Sequence, residues 1–138
     1  MTRDDDGSVS LYVVISAVAL FAVLGLVADG GAATTAKGRA ISQAYGAARA
    51  GAQAMAPASF ATTGTVTTDP AAARAAALRY LAQTGAADSA IVTVTGRQVW
   101  VRVTLHQPAR VLSMFGLREF TVTGEGSATA VYGVEAPS

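Results

Sequence analysis

Residues 7–28, GSVSLYVVISAVALFAVLGLVA, contain no Asp, Glu, Lys, Arg, His or Pro and follow a head of only six residues. As a helix this stretch would run about 33 Å, enough to cross a hydrocarbon layer of about 30 Å. A core helix of a soluble domain seldom carries that much uncharged surface, so residues 9–28 read as a transmembrane helix. A cleaved secretory signal fits less well. The head MTRDDDG sets one Arg against three Asp, and the apolar run exceeds the roughly 7–15 residues of a signal core. A cut after Ala28 would also put Leu26 where a small residue belongs. Charge counting leaves the orientation open, with Arg3 and the amino terminus on one side and Lys37 and Arg39 on the other.

Composition bounds the chain beyond the span. The chain has 138 residues, 51% hydrophobic and 14% charged, with a mean hydropathy of +0.40. That is too apolar for a disordered chain and long enough for one anchor and one small domain. Much of the apolar content is Ala, which favours helix but buries little area, so the core must come from Val, Leu and Ile in the second half. A net charge of +1 without a basic stripe argues against a nucleic-acid partner. The absence of Cys excludes disulfides, thiolate metal sites and Cys catalysis.

No Pro interrupts the chain between the span and Pro57, so one helix is expected from about Val9 to Met55. Gly30-Gly31, at the exit from the bilayer, is the expected kink or hinge. Along this helix Ala36, Ala40, Ala44, Ala47, Gly51 and Ala54 recur at three- and four-residue spacing and form a candidate helix-packing face. Gly46, Ala50 and Ala54 repeat a small-xxx-small pattern that lets backbones approach. Composition alone also generates such patterns in an Ala-rich chain.

A loop is expected over 57–68. Asp69 then caps a second helix with Pro70 in its first turn and Gly85 at its end, with Leu78, Leu81 and Ala82 inward and Arg74 and Arg79 in solvent. AIVTVTGRQVWVRVTLH reads as a hairpin on a type II′ turn at Gly96-Arg97, pairing Thr95 with Gln98, Val94 with Val99 and Val92 with Val101. Valines then share one face; Thr93, Thr95, Trp100 and Arg102 share the other. Trp100 is either covered by a helix or a contact for another subunit. ARVLSMF should form two helical turns ended by Gly116, offering Val111, Leu112 and Phe115 to the core. A third strand comes next, with Phe120, Val122, Ala128, Ala130 and Tyr132 on one side and Gly124 and Gly126 marking a bulge or a close contact. The fold class is α+β. The organisation is a short head (1–8), a transmembrane helix (9–28), its Ala-rich continuation (29–56), a loop (57–68) and a small extracytoplasmic domain (69–138).

Catalytic chemistry is not legible. His106 is the sole histidine, at a strand end with no Asp or Glu near it in sequence. No nucleophile elbow, phosphate loop or dinucleotide fingerprint occurs. TGEGSA reads as strand, and Asp4-Asp5-Asp6 as a solvated charge run and no metal site. The expectation is a non-enzyme without cofactor, metal or small-molecule substrate. Asp29, at the span's exit, reads either as a charge facing headgroups or as a contact for a partner.

RDDDGSVSLYVVISAVALFAVLGLVADGG, followed by AYGAARAGAQAM, resembles the N-terminal region of the TadE/TadG-like proteins of Tad (Flp) pilus systems in their actinobacterial form. The residues that carry the resemblance are Gly7, Ser8, Asp29, Gly30 and the stretch from Ala47 to Gln53, within about the first 56. It implies a minor pilin or pilin-like assembly component, held in the cell membrane by a single helix with its C-terminal domain outside, or incorporated in surface pili. The implied partners are other Tad pilins, the assembly platform and prepilin peptidase, which would cut between Gly7 and Ser8. One departure stands out. Pilin-type signals of this class carry a Glu five residues after the Gly, and that position is Tyr12. The competing expectation is a membrane-anchored extracytoplasmic binding or adaptor module unrelated to pili.

Overall fold

The computed structural model describes residues 5–55 and 69–131, with side chains described from residue 7 onward. Helix α1 runs Asp5–Ala54 and helix α2 Pro70–Gln83. After a 3-10 turn at Ala87–Ser89 come strands β1 (Ala90–Thr95) and β2 (Gln98–Pro108). A second 3-10 turn at Leu112–Phe115 precedes β3 (Glu119–Thr129). The strands form one antiparallel sheet in the order β1-β2-β3, and the α+β class read from the sequence is the one observed. The loop expected over 57–68 and the Tyr132 side chain lie outside the described residues.

The chain divides into two compact units, one formed by residues up to Thr35 with His106–Phe120, the other by Ala36–Leu105 with the chain from Thr121 on. In the second unit α2 begins and ends as its sequence requires. Asp69 Oδ1 accepts from the N–H groups of Ala71 and Ala72 at 2.9 and 3.0 Å, Pro70 opens the helix, and Gly85 (φ +73°) closes it while Ala86 N–H returns to Leu81 C=O at 2.9 Å. The hairpin has the expected register, Thr95 opposite Gln98, Val94 opposite Val99 and Val92 opposite Val101. Gly96 takes φ +57° and Arg97 does not turn positive, as a II′ turn requires. Val92, Val99, Val101 and Val103 are buried in one cluster with Leu81, Met55 and the alanines of α1 and α2. Arg74, exposed as expected, ties α2 to β1 by donating to Val92 C=O at 3.1 Å.

Three expectations need correction. Ala82 is exposed, because Ala73, Ala77 and Leu81 alone form the inward stripe of α2. Through Gly30-Gly31 α1 stays helical, as the single helix read from the sequence requires, and the hydroxyls of Thr34 and Thr35 donate to the carbonyls of Gly30 and Gly31 at 2.9 and 3.0 Å. The helix also starts before Val9, at Asp5. Residues 109–115 make a single 3-10 turn, Leu112–Phe115, in place of two helical turns; no residue of that turn is buried, and of the segment only Ala109 is. Val111 and Leu112 are half-buried and Phe115 is exposed, so this segment adds nothing to the sheet's core.

Candidate membrane anchor and helix-exit clamp

The first half of α1 is bare. Val13, Ile15, Val18, Leu20, Phe21 and Leu24 each expose more than half of their surface, and they point in every direction around the helix. An all-round apolar helix of this length suits a hydrocarbon solvent better than water. α1 is therefore a candidate membrane anchor. Gly7 and Ser8 lie in its first turns and are exposed, as is Tyr12.

Within the same unit, one residue past the apolar span, Asp29 is the one buried charged residue among the described residues, with 3% of its surface exposed. Its carboxylate takes up the segment after β2. Oδ1 accepts from Arg110 N–H at 3.0 Å, and Oδ2 accepts from Val111 and Leu112 N–H at 2.9 and 2.7 Å. These are the donors that a 3-10 turn leaves unpaired at its start, so Asp29 caps the Leu112–Phe115 turn from a distant part of the chain. The Leu112 N–H does most to hold the Asp29 carboxyl below the usual aspartate range; desolvation opposes it, and the Arg110 and Val111 N–H groups and the Arg110 charge add to the lowering. One helical turn back, Gly25 receives Val111: a Cβ at Gly25 would stand 3.0 Å from Val111 Cβ and closer still to Cγ1. Ala109 N–H donates to Arg118 C=O at 2.9 Å and closes the base of the loop. Within this chain the Asp29 carboxylate is buried and taken up by three backbone donors.

The small-residue face is also spent within the chain. Ala36, Ala40, Ala44, Ala47 and Gly51 are buried and Ala54 is half-buried. What covers the face is the sheet and α2. A Cβ at Gly124 would stand 2.7 Å from Ala40 C=O and nearer to Ile41 N, and one at Gly126 would stand 2.7 Å from the Ala44 carbonyl carbon. Two residues of strand advance about 6.7 Å and four residues of helix about 6 Å, so the glycines of β3 meet successive turns of α1 in register. Gly51 receives Val99, with a built Cβ 3.0 Å from Cγ1, and Gly46 receives the ring of Tyr80. The helix-packing face read from the sequence does approach its neighbours closely, and within this chain those neighbours are α2 as well as the sheet.

Trp100 is half-buried on the sheet face opposite the valines. The Arg102 guanidinium stands 4.8 Å from its ring centroid and is held there by Glu125 of β3, at 2.8 and 2.9 Å. His106 is exposed and lies 3.6 Å from Glu119 Oε1, a neighbour that sequence distance concealed. Among the described residues no three His, Cys, Asp or Glu converge on a metal position. A shallow hollow of about 280 Å³ beside Arg49, Gln53 and Thr129 gathers no reactive constellation.

No known protein family, curated protein or solved structure matches this chain. The loop clamp at Asp29 and the glycine seam of β3 are the functional geometry that sequence reasoning missed. For the seam a signal was present, two glycines of one strand parity facing alanines at helical spacing. For the clamp it was only a charged residue at the edge of an apolar span.

Proposed function

We propose that this chain is a single-pass, non-enzymatic, pilin-like component of a Tad (Flp) type pilus, with its C-terminal domain outside the cell membrane. The observation that carries the reading is the division of α1. Its first half is apolar over residues 9–28 and bare there except where Val111 covers Gly25, while its second half, from Ala36, is the support on which a three-stranded sheet is seated. A subunit built this way can be stored in a bilayer by the bare half and, once extracted, bury that half against identical helices in a fibre. Because the small-residue face is occupied internally, lateral packing would use the bare half. The resemblance around Gly7, Ser8, Asp29, Gly30 and Ala47 to Gln53 adds the pilus context.

Tyr12 favours a second form of the same reading, an anchored assembly factor or adaptor that never enters a fibre. An uncharged residue there avoids placing a carboxylate in hydrocarbon but removes a charge that could register subunits. The test is intact mass and N-terminal sequence of the protein recovered from membranes and from sheared surface fibres of its native host. A chain beginning at Ser8 in fibres is the result expected of a minor pilin. Full-length protein confined to membranes supports the anchored form, and recovery in the soluble fraction alone overturns both.

A further inference from the structure

Loop 109–118, ARVLSMFGLR, leaves the end of β2 and returns to the start of β3, and its apolar side chains are not used by the core. Met114 is 84% exposed, Phe115 62% and Leu117 45%, on a turn whose shape is fixed by Gly116 at φ +97° and by Leu117 N–H donating to Leu112 C=O at 3.1 Å. An exposed cluster of this kind in a small unit marks a surface that meets something apolar. Position on the helix says what. Asp29 fastens the turn's backbone one residue beyond the apolar span, and Val111 packs on Gly25, inside it. Gly25 lies three residues within the 9–28 stretch, about 4.5 Å along the helix axis, which is the depth of the boundary between acyl chains and headgroups. The loop carries Arg110 and Arg118 at its two ends, both exposed, and no acidic residue.

We propose that this loop is a second membrane-contacting element, in which Met114, Phe115 and Leu117 enter the interfacial layer beside α1 while Arg110 and Arg118 meet anionic headgroups. The proposal rests on the anchor reading of α1. The Asp29 clamp gives it a mechanism: a buried, fully hydrogen-bonded carboxylate fixes the loop's height on the helix, so its apolar tip stays at bilayer level. Asp29 offsets part of the Arg110 charge and Glu119 follows Arg118, but the loop itself carries only basic side chains beside its apolar tip, which match a phosphatidylglycerol-containing surface better than a second copy of the loop, where like charges would be opposed.

The chain has no Cys, so single Cys variants can each be labelled at one site. Full-length protein carrying an environment-sensitive fluorophore at Met114→Cys, Phe115→Cys or Phe21→Cys is reconstituted in phosphatidylcholine–phosphatidylglycerol vesicles containing lipids with shallow or deep nitroxides. The expected result at 114 and 115 is quenching by the shallow nitroxide at least about twofold stronger than by the deep one, with protection from aqueous iodide. Phe21→Cys reports the anchor separately and should be quenched by the deep nitroxide. Iodide quenching at 114 and 115 with Phe21→Cys still in the bilayer overturns the loop proposal alone. Protection from both iodide and nitroxide overturns it in favour of a protein contact. Iodide access at Phe21→Cys overturns the anchor reading itself.

Discussion

Gly126→Ala tests the seam between β3 and α1. The added Cβ would stand 2.5 Å from Tyr45 N and 2.7 Å from the Ala44 carbonyl carbon, about 0.9 Å short at the closest of the 3.4 Å at which ordinary contact begins. Both sides of the clash are backbone: a helical peptide unit that cannot rotate away and a strand held by its ladder. Relief requires the strand to lift from the helix, which opens space over Ala40 and Ala44, both fully buried. Overpacking costs about 1–3 kcal/mol, and a backbone-on-backbone case belongs at the upper end. Removing a glycine's freedom from the unfolded chain returns about 0.4–1 kcal/mol, leaving roughly 2 kcal/mol of net loss. For a domain of this size each kcal/mol moves Tm by about 4–8 °C, so a fall of about 8–16 °C is expected. Thermal circular dichroism of the full chain in detergent micelles measures it. Gly38→Ala is the control, since a Cβ at Gly38 meets nothing within 4 Å, and it should raise stability by about 0.5–1 kcal/mol. An unchanged Tm for Gly126→Ala would refute the seam; a fall equal in both variants would show that helix and strand propensity, not contact, sets the response.

Asp29→Asn should release the loop, because an amide carries no charge and presents one accepting oxygen where the carboxylate uses two; amide exchange at Arg110, Val111 and Leu112 should accelerate by at least about tenfold, read by mass-resolved or NMR exchange. The pH dependence has a defined sign: since folding lowers this carboxyl's pKa, the clamp is at full strength above about 3.9, the ordinary aspartate value, and weakens as pH falls through the lower folded value. Protection of the three amides, taken relative to their intrinsic exchange at each pH, that persists below that range would contradict it. Asp69→Ala should cost about 1 kcal/mol by freeing the N–H groups of Ala71 and Ala72, measurable in the same melts. Glu125→Gln should change stability by less than about 1 kcal/mol, because both partners of the Arg102 pair are substantially exposed, while the Trp100 emission shifts as Arg102 leaves its ring.

The elements whose causes are local were legible. A Gly at the first central position of the turn and valines of one parity specify the hairpin register, and Asp69, Pro70 and Gly85 specify both ends of α2. What was not legible depends on which surfaces meet. The alanine face of α1 announces that something approaches closely, but helix and strand both fit a groove of that kind, and only the match of Gly124 and Gly126 to Ala40 and Ala44 chooses the strand. Asp29 reads as interfacial because its donors are 81 to 83 residues away in sequence. Leu112 and Phe115 read as core on hydrophobicity alone, which cannot distinguish a side chain facing protein from one facing another apolar phase.

The proposed function gives one helix two employments, a bare half in the bilayer and a second half in water beneath a sheet. Spin labels placed singly on outward positions of α1, such as Val13, Phe21, Lys37, Ser42 and Gln53, and read for collision with oxygen and with a water-soluble nickel chelate, measure this directly in reconstituted vesicles. Labels at Val13 and Phe21 should meet oxygen and exclude the chelate, with the order reversed from Lys37 onward. Chelate access at Val13 and Phe21 equal to that at Lys37 would contradict the division of the helix.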